Sequence, residues 1–355
     1  MQKLLRRFRT AFLVLLLGVL GAVSLFSVCS GAVKLSAGDV VGVVRTQFLG
    51  ENREPTDLME TSRAILWDLR VPRVLFGIFV GATLSVTGTL MQGLFRNPLA
   101  DPGLVGVSSG AALGAVMVLI LAGHLFPATS WMSDVRFLPV AAFVGAFGVT
   151  LVIVRVAYTG GYTAVATLLL SGVAMNSIVG ASIGLSTFLA TDAQLRSLSF
   201  WTLGSLGSAD WEILGIMSPV TVVVLLISPW FSKALNAMAL GEAEAEHLGF
   251  SVERIKHCII LVTAIGVGVC VAFSGMIGFI GLVVPHLMRL CIGPDHRWLV
   301  PGSAIGGAIL LVSADTVART AVAPAEMPIG ILTAALGGPF FLAMLLSQRR
   351  RSLWG

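Results

Sequence analysis

The sequence MQGLFRNPLADPG at residues 91–103 is a polar segment between two long apolar ones. Its prolines, Pro98 and Pro102, lie four residues apart, so one continuous α-helix cannot run through it. The side chains of Arg96, Asn97 and Asp101 would be costly inside hydrocarbon. We therefore expect a loop between two membrane-spanning helices, lying at a membrane surface or lining a crevice in the protein.

The composition is typical of a membrane protein. Hydrophobic residues make up 56% of it and charged residues only 12%, with a mean hydropathy of +0.93. An average soluble domain carries roughly 25% charged residues. Forty glycines suit helices that pack closely in a bilayer, where small residues let backbones approach. The composition excludes an ordinary soluble domain and predicts an all-α polytopic membrane protein.

Charge-poor segments long enough to cross a bilayer recur along the chain. Eight of them are residues 11–33, 74–95, 103–125, 137–154, 162–191, 211–231, 299–315 and 329–347. Another apolar block, 258–292, would be about 52 Å long as one helix, too long for a hydrocarbon core of about 30 Å. We expect it to break at Ser274-Gly275 and Gly278 into two shorter spans, which makes ten transmembrane helices.

The distribution of basic residues tests this topology, because cytoplasmic loops carry an excess of Lys and Arg. With the N-terminus inside, the inner segments hold 14 of the 23 basic residues and 6 of the 18 acids. The outer segments hold the other 9 basic residues and 11 acids. The basic excess holds at both ends of the chain, so we expect ten spans with both termini cytoplasmic.

Motifs of nucleotide hydrolysis and metal binding are missing. A P-loop needs Gly-Lys-Ser/Thr, and none of the four lysines follows a glycine; there is no HExxH either. The four cysteines fall in apolar segments and lack a metal-ligand spacing. We expect no catalytic residue, no metal site and no permanently bound cofactor. If ATP drives this protein, another chain must hydrolyse it.

The segment GEAEAEHLG, residues 241–249, has three interpretations. Glu242 and Glu246 lie one helical turn apart and could bind Mg²⁺-diphosphate as in membrane prenyltransferases, but no other inner loop supplies the second acidic cluster. The segment could also be a connector helix. The favoured interpretation is a short amphipathic helix that docks a soluble partner, with Ala243, Ala245 and Leu248 on its apolar side and Gly249 at its end.

Charged residues near the predicted outer face have two possible roles each. Asp315 is the only acid deep within a predicted span, and Arg319 follows one turn later, which favours a structural ion pair. A single buried acid argues against an ion-coupled secondary transporter, which remains an alternative. Arg70 and Arg73 flank Val71-Pro72 and could present guanidinium groups to carboxylates of a partner, or extend to lipid headgroups.

Several segments together resemble one transporter family, the permease subunits of bacterial ABC importers for iron–siderophores, haem and cobalamin. They run in the family's order from the second predicted span to the tenth, so the resemblance covers nearly the whole chain. The matching segments are LRVPR (69–73), QGLFRNPLADPGLVGVSSG (92–110), LGEAEAEHLG (240–249), SGMIGFIGLVVPHLMR (274–289), GPDHR (293–297), ADTVAR (314–319) and AEMPIG (325–330).

This resemblance implies an architecture and a set of partners. The chain would be a single permease domain over residues 1–355, working as a homodimer in the bacterial inner membrane. Two ATP-binding cassette subunits, which hold ATP-Mg, would dock on the cytoplasmic side and a periplasmic substrate-binding protein on the other. Membrane lipids are expected as partners and nucleic acid is not.

The resemblance also assigns roles to residues by position. Arg70, Arg73 and Arg319 match arginines that meet acidic residues of the binding protein. Within a coupling region at about 238–252, the residues expected to couple to the ATPase are Gly241, Glu242, Ala245, Glu246, Leu248 and Gly249. The residues expected at the cytoplasmic gate or along the pathway are Tyr162, Thr163, Val165, Ala166, Thr167 and Arg196. Small polar side chains stand near Val165 and Ala166 in the cobalamin importer, so the gate differs there.

The cargo follows less directly from the residues. The segments WDLR (67–70), SFWTLGSL (199–206) and ARTAVAPAE (318–326) resemble haem importers more than cobalamin importers. No His or Tyr lies in the middle of a predicted span as an evident haem-iron ligand. A translocation path must also release its cargo, so that absence does not argue against haem. We expect haem as the transported substrate, with an iron–siderophore or cobalamin as the alternative.

Overall fold

A computed structural model of the chain describes residues 2–31, 42, 61–121 and 135–353, and this part of the chain is mostly helical. The α-helices are α1 Gln2–Cys29, α2 Val71–Leu94, α3 Val107–Val116, α4 Leu138–Ala157, α5 Val165–Leu189, α6 Asp192–Leu203, α7 Trp211–Ile227, α8 Ser232–Met238, α9 Glu242–His247, α10 Val252–Ser274, α11 Ile280–Ile292, α12 His296–Thr320 and α13 Ile329–Leu353. Two short strands, β1 Tyr158–Thr159 and β2 Tyr162–Thr163, pair antiparallel.

Shorter helical turns extend several of these helices. The π-helical segments Ala64–Arg70 and Met117–Leu121 precede α2 and continue α3. The 3-10 turns are Pro102–Val105 before α3, Val135–Phe137 before α4 and Ser228–Phe231 between α7 and α8. The sequence placed a span at 162–191; there the strand β2 takes the first two residues, and the helix begins at Val165.

Seven helices of the described residues are long and apolar enough to cross a membrane. Three shorter apolar helices, Val107–Leu121, Ile280–Ile292 and Ile329–Met344, lie at the third, eighth and tenth predicted spans. Residues 32–33 and 122–125 of the first and third predicted spans lie outside the described residues, as does most of the predicted outer loop 34–70. The structure thus supports a multi-span membrane protein, whereas the count of ten and the side of the termini stay predictions.

The core forms around α2, which is buried along nearly its whole length. Its glycines permit close backbone approach to neighbouring helices. A Cβ at Gly81 would collide with the carbonyl of Gly307 on α12, and one at Gly88 with the carbonyl of Gly281 on α11. Close contact between small residues is how helices gain packing energy in lipid. The glycines that are abundant in the sequence therefore allow close helix packing in the centre of the fold.

The long apolar block at 258–292 breaks where the sequence predicted. Helix α10 ends at Ser274 and α11 begins at Ile280, with Gly275 at a φ of +67°. Gly275 also has no room for a side chain, since a Cβ there would collide with the carbonyl of Trp201. Only glycine satisfies both conditions at low cost. The prediction of a break is confirmed.

The polar segment between α2 and α3 is a loop, as predicted. Asp101 accepts a hydrogen bond from the backbone N–H of Gly103 at 2.7 Å and so caps the 3-10 turn. Asn97 accepts one from the N–H of Leu99 at 2.9 Å. Burial raises the pKa of Asp101 above its ordinary value, an effect that the Gly103 hydrogen bond partly offsets. These polar side chains therefore accept hydrogen bonds from backbone N–H groups that are not in a helix, because the prolines interrupt it.

Candidate partner-docking sites and gate

The three arginines assigned to binding-protein docking lie together in the structure. Arg73 on α2 forms a bidentate pair with Asp315 on α12, with N···O distances of 2.9 to 3.1 Å. The same guanidinium reaches Glu326 at 3.0 Å through Nη1. Arg319 lies 3.5 Å from Asp315, so the pair predicted from the sequence exists but is the weaker of the two. We name Arg70, Arg73, Asp315, Arg319 and Glu326 the arginine cluster.

The other two arginines of this cluster hold the end of α1. Arg70 donates to the carbonyls of Val28 at 2.9 Å and Cys29 at 3.0 Å. Arg319 donates to the carbonyl of Ser30 at 2.7 Å and to the carbonyl of Ser27. Positive side chains at a helix C-terminus satisfy its last carbonyls and stabilise its dipole. Arg70 and Arg319 are 5% and 6% exposed, so their guanidinium groups are largely buried and bond to groups within the chain.

A cavity of about 280 Å³ opens onto the arginine cluster. Arg70, Arg73, Arg319 and Glu326 line it, together with apolar residues such as Leu69. Taken with Asp315, the cluster holds three positive and two negative groups. These five side chains by themselves sum to one positive charge, at a surface that is partly open.

The segment expected to couple to an ATPase forms the short helix α9. Gly241 precedes it at a φ of +149°, and Gly249 follows it at +88°. The N–H of Phe250 bonds to the carbonyl of Ala245 at 3.1 Å and closes the helix end in the manner of a Schellman motif. A helix ended by Gly249 was predicted, and this prediction is confirmed.

The apolar side of α9 differs from the predicted one. Only Ala245 is buried, whereas Ala243 is exposed. Leu248 is 63% exposed, and Leu240, just before the helix, is 72% exposed. A six-residue helix is too short to bury a whole stripe against its own chain, so the leucines face outward. Both leucines are therefore exposed at the ends of a helix that carries acidic side chains.

The residues predicted at the gate form a hairpin and the start of a helix. Tyr162 and Thr163 pair with Thr159 and Tyr158 across a turn of Gly160 and Gly161, whose φ values are +64° and +90°. Positive φ at both central positions is the twist that a two-residue hairpin needs, and glycine adopts it freely. We name residues 158–163 the gate hairpin.

The hairpin leads into the first turn of α5, where the remaining gate residues lie. Val165 and Thr167 are half-buried and Ala166 is exposed. Arg196 is exposed on α6, which follows the far end of α5. Since α5 is about 37 Å long for its 25 residues, the structure does not bring Arg196 to the gate.

Lys256 connects the gate hairpin with α9. Its Nζ lies 2.7 Å from Glu242 of α9 and donates to the carbonyl of Thr163 at 3.1 Å. The sequence analysis missed Lys256. The available signal was a lysine near the start of a long apolar helix, where an ammonium needs a partner. Among the described residues, no group of three or more His, Cys, Asp or Glu side chains could hold a metal ion.

Comparison with known proteins identifies the family. A model described as the FecCD transport family matches residues 17–347. The chain belongs to the FecCD transport family. It is 48% identical over 287 residues to the hemin transport system permease protein HmuU of Yersinia pestis, covering 81% of this chain and 84% of that protein. It is 40% identical over 293 residues to the vitamin B12 import system permease protein BtuC of Salmonella arizonae, covering 82% and 86%.

A solved structure supports the same assignment. This FecCD chain superposes on a metal-chelate type ABC transporter in an inward-facing conformation with a TM-score of 0.81 and 28% identity, covering 95% of this chain and 99% of that one. The FecCD chain is therefore the permease component of an ABC importer in the bacterial inner membrane, and a separate subunit hydrolyses ATP. The resemblance found in the sequence is confirmed.

Proposed function

We propose that this permease imports haem from the periplasm to the cytoplasm as a single-domain homodimer. Two ATPase subunits and a periplasmic binding protein would complete the importer. The observation that carries the cargo assignment is the 48% identity to a hemin transport permease, against 40% for vitamin B12 permeases of similar coverage. The haem-importer-like segments at 67–70, 199–206 and 318–326 support the same cargo.

The exposed face of α5 supports a homodimer. Nearly half of the residues of this helix are exposed, including the apolar side chains of Leu170, Leu185 and Phe188. Gly180 and Gly184 are spaced as in GxxxG, and a Cβ placed on either would have no described atom within 4 Å apart from the neighbouring backbone of its own helix. Such spacing lets two helices approach closely in lipid. A second copy of α5 across a two-fold axis would use this face.

The two docking surfaces support the placement of the partners. Leu240 and Leu248 beside α9 offer an apolar contact for the ATPase. The arginine cluster, whose guanidinium groups line an open cavity, offers a contact for carboxylates of the binding protein. Tyr162 to Thr167 would close the cytoplasmic end of the path. Arg196, at the other end of α5, would face the path near its periplasmic mouth.

Transport in proteoliposomes tests the cargo. The permease is reconstituted with its ATPase and binding protein, and uptake of haem, a ferric siderophore and cobalamin is measured with and without ATP. We expect ATP-dependent uptake of haem. Uptake of siderophore or cobalamin without haem would overturn the choice of cargo and leave the importer class intact. Uptake without any ATPase subunit would instead favour an ion-coupled transporter.

Cysteine cross-linking tests the dimer separately. A Gly184→Cys variant, in a background without native cysteines, should form an intermolecular disulfide in membranes. Gly148→Cys on α4 is the matched control, because Gly148 also faces open space within the chain. Dimerisation through α5 would be contradicted if both variants cross-linked equally, or if neither cross-linked.

A further inference from the structure

Lys256 lies where three elements meet. It belongs to α10, its Nζ bonds to Glu242 on α9, and the same Nζ bonds to the carbonyl of Thr163 on the gate hairpin. The residue is only 3% exposed. These contacts form a direct chain of two bonds from the surface expected to meet the ATPase to the hairpin expected to form the gate.

Burial gives these contacts their weight. An ammonium group removed from water must keep its partners, and breaking a buried ion pair costs far more than breaking an exposed one. Lysine has three donors; one bonds to Glu242 and another to the Thr163 carbonyl, and the Glu253 carboxylate lies at 4.0 Å. If α9 moves, the ammonium must follow Glu242 or lose the nearer of its two carboxylate partners.

Thr163 is also held from its other side. Its hydroxyl bonds to the carboxylate of Glu253 and lies 3.2 Å from Nε2 of His257, both on α10. Thr163 is itself buried. The carbonyl and the hydroxyl of one hairpin residue therefore both bond to the first two turns of α10. A shift of Lys256 acts on a backbone atom of the hairpin that has little freedom to relax elsewhere.

We propose that Lys256 is the positioning residue that transmits displacement of α9 to the gate hairpin. The inference rests on the proposed function, in which α9 docks on the ATPase and residues 162–167 close the path. Lys256 contacts neither cargo nor nucleotide in this scheme. It acts by tying Glu242 to the Thr163 carbonyl, so that nucleotide-driven movement of α9 reaches the gate.

A labelling experiment measures this transmission without knowledge of the cargo. An Ala166→Cys reporter, free of native cysteines, is assembled with its ATPase in nanodiscs and labelled with a bulky maleimide, with and without ATP. The ATPase rate is recorded on the same samples. We expect Lys256→Met to reduce the nucleotide-dependent change in labelling rate about fivefold or more, while the ATPase rate stays within about twofold. Full retention of that change in Lys256→Met would overturn the inference.

Two further variants separate transmission from simple destabilisation. Arg254→Met removes one positive charge from the same turn of α10, but Arg254 is exposed, so it should keep the parent's nucleotide-dependent change. Glu242→Gln breaks the same bond from the α9 side and leaves Lys256 in its slot. Glu242→Gln should also reduce the nucleotide-dependent change in labelling rate. The double variant should reduce it no further than Lys256→Met alone.

The outcomes also separate this inference from the proposed function. Additive effects of Glu242→Gln and Lys256→Met, or an equal loss in Arg254→Met, would overturn the role of Lys256 and leave the docking of α9 intact. If Lys256→Met fails to fold, Glu242→Gln alone decides, and parent-like behaviour then refutes the inference. A parent complex that shows no nucleotide-dependent labelling would instead overturn the proposed gate and docking roles, and this inference with them.

Discussion

The arginine cluster and α9 are both candidate docking surfaces, yet they are built in opposite ways. In the cluster, Arg73 has two carboxylate partners, and Arg70 and Arg319 bond to carbonyls at the end of α1. At α9 the leucines before and after the helix are largely exposed. The charges of the first surface are paired within the protein, whereas the second exposes apolar area that the described part of the chain leaves uncovered.

This difference separates what each surface does for the fold. Charges buried in the cluster hold α1, α2 and α12 together, so changing them should affect folding before it affects a partner. The exposed leucines at α9 contribute little to the fold, and changing them should affect assembly alone. Charge reversal of Arg73, for example, would place a new acid beside Asp315 and Glu326. It would therefore test stability more than docking.

The largest effect is expected from Asp315→Asn. Among the described residues, the change leaves Arg73 with only the exposed Glu326 as a carboxylate partner and removes the nearest carboxylate from Arg319. Breaking a buried pair by removing one partner costs about 3–5 kcal/mol. Thermal unfolding in detergent should show a large loss of stability. Glu326→Gln is the matched control, because its side chain is 51% exposed and an exposed pair contributes about 1 kcal/mol at most. Equal stability of the two variants would remove the distinction between buried and exposed partners in the cluster.

Next in size is the double variant Leu240→Ala and Leu248→Ala. Fully burying a leucine side chain is worth about 1.5–3 kcal/mol, and a change to alanine at a partly buried contact removes only part of that. The two changes together should therefore weaken assembly with the ATPase by about 2–3 kcal/mol. The permease alone should unfold like the parent, since surface changes stay within about 0.5 kcal/mol. Affinity for the ATPase in detergent or nanodiscs provides the measurement. Leu290→Ala with Leu342→Ala, two other exposed leucines, is the control, and unchanged ATPase affinity in the α9 variant would refute docking there.

A smaller loss of stability is expected from Asp295→Ala. Asp295 is also paired with an arginine, but its side chain is less buried than that of Asp315. Asp295 caps α12 through the N–H of Arg297 and bonds to the Arg297 guanidinium and to Asn236. Loss of the cap should cost about 1 kcal/mol of unfolding free energy. The Arg297 hydrogen bond lowers the pKa of Asp295 to about 2, so this stabilisation is present above the unfolded pKa of about 3.9 and is lost as pH falls towards 2. If Asp295→Ala lowered the free energy of unfolding as much as Asp315→Asn, burial would not explain the difference in stability expected between the two variants.

The smallest effect is expected from Glu326→Gln on partner binding. The change raises the net charge of the arginine cluster by one without touching the buried Asp315. An acidic binding protein should then associate about threefold faster at low ionic strength, and the difference should vanish at high salt. Association rates from stopped-flow mixing provide the measurement. An unchanged rate at low salt would show that the cluster serves the fold alone.

Some of these features could be predicted from the sequence because they depend on neighbouring residues. The loop at 91–103 follows from two prolines, the break near Gly275 from the length of an apolar block, and the end of α9 from a glycine. The ion pair of Asp315 with Arg319 could be predicted from their spacing. The stronger pair with Arg73 could not, since the two residues are 242 positions apart in the chain.

The sequence by itself determined a membrane protein of many helices, its family and the positions of its loops, because composition, chain length and turn residues act locally. Only the tertiary structure decided which charges are buried and which groups they pair with. Arg70 and Arg319 bond to the end of α1, and Lys256 joins Glu242 to Thr163. The physical reason is that a charge buried in a protein takes its partners from whichever helices packing brings beside it. Packing here depends on glycines that face backbone from distant parts of the chain.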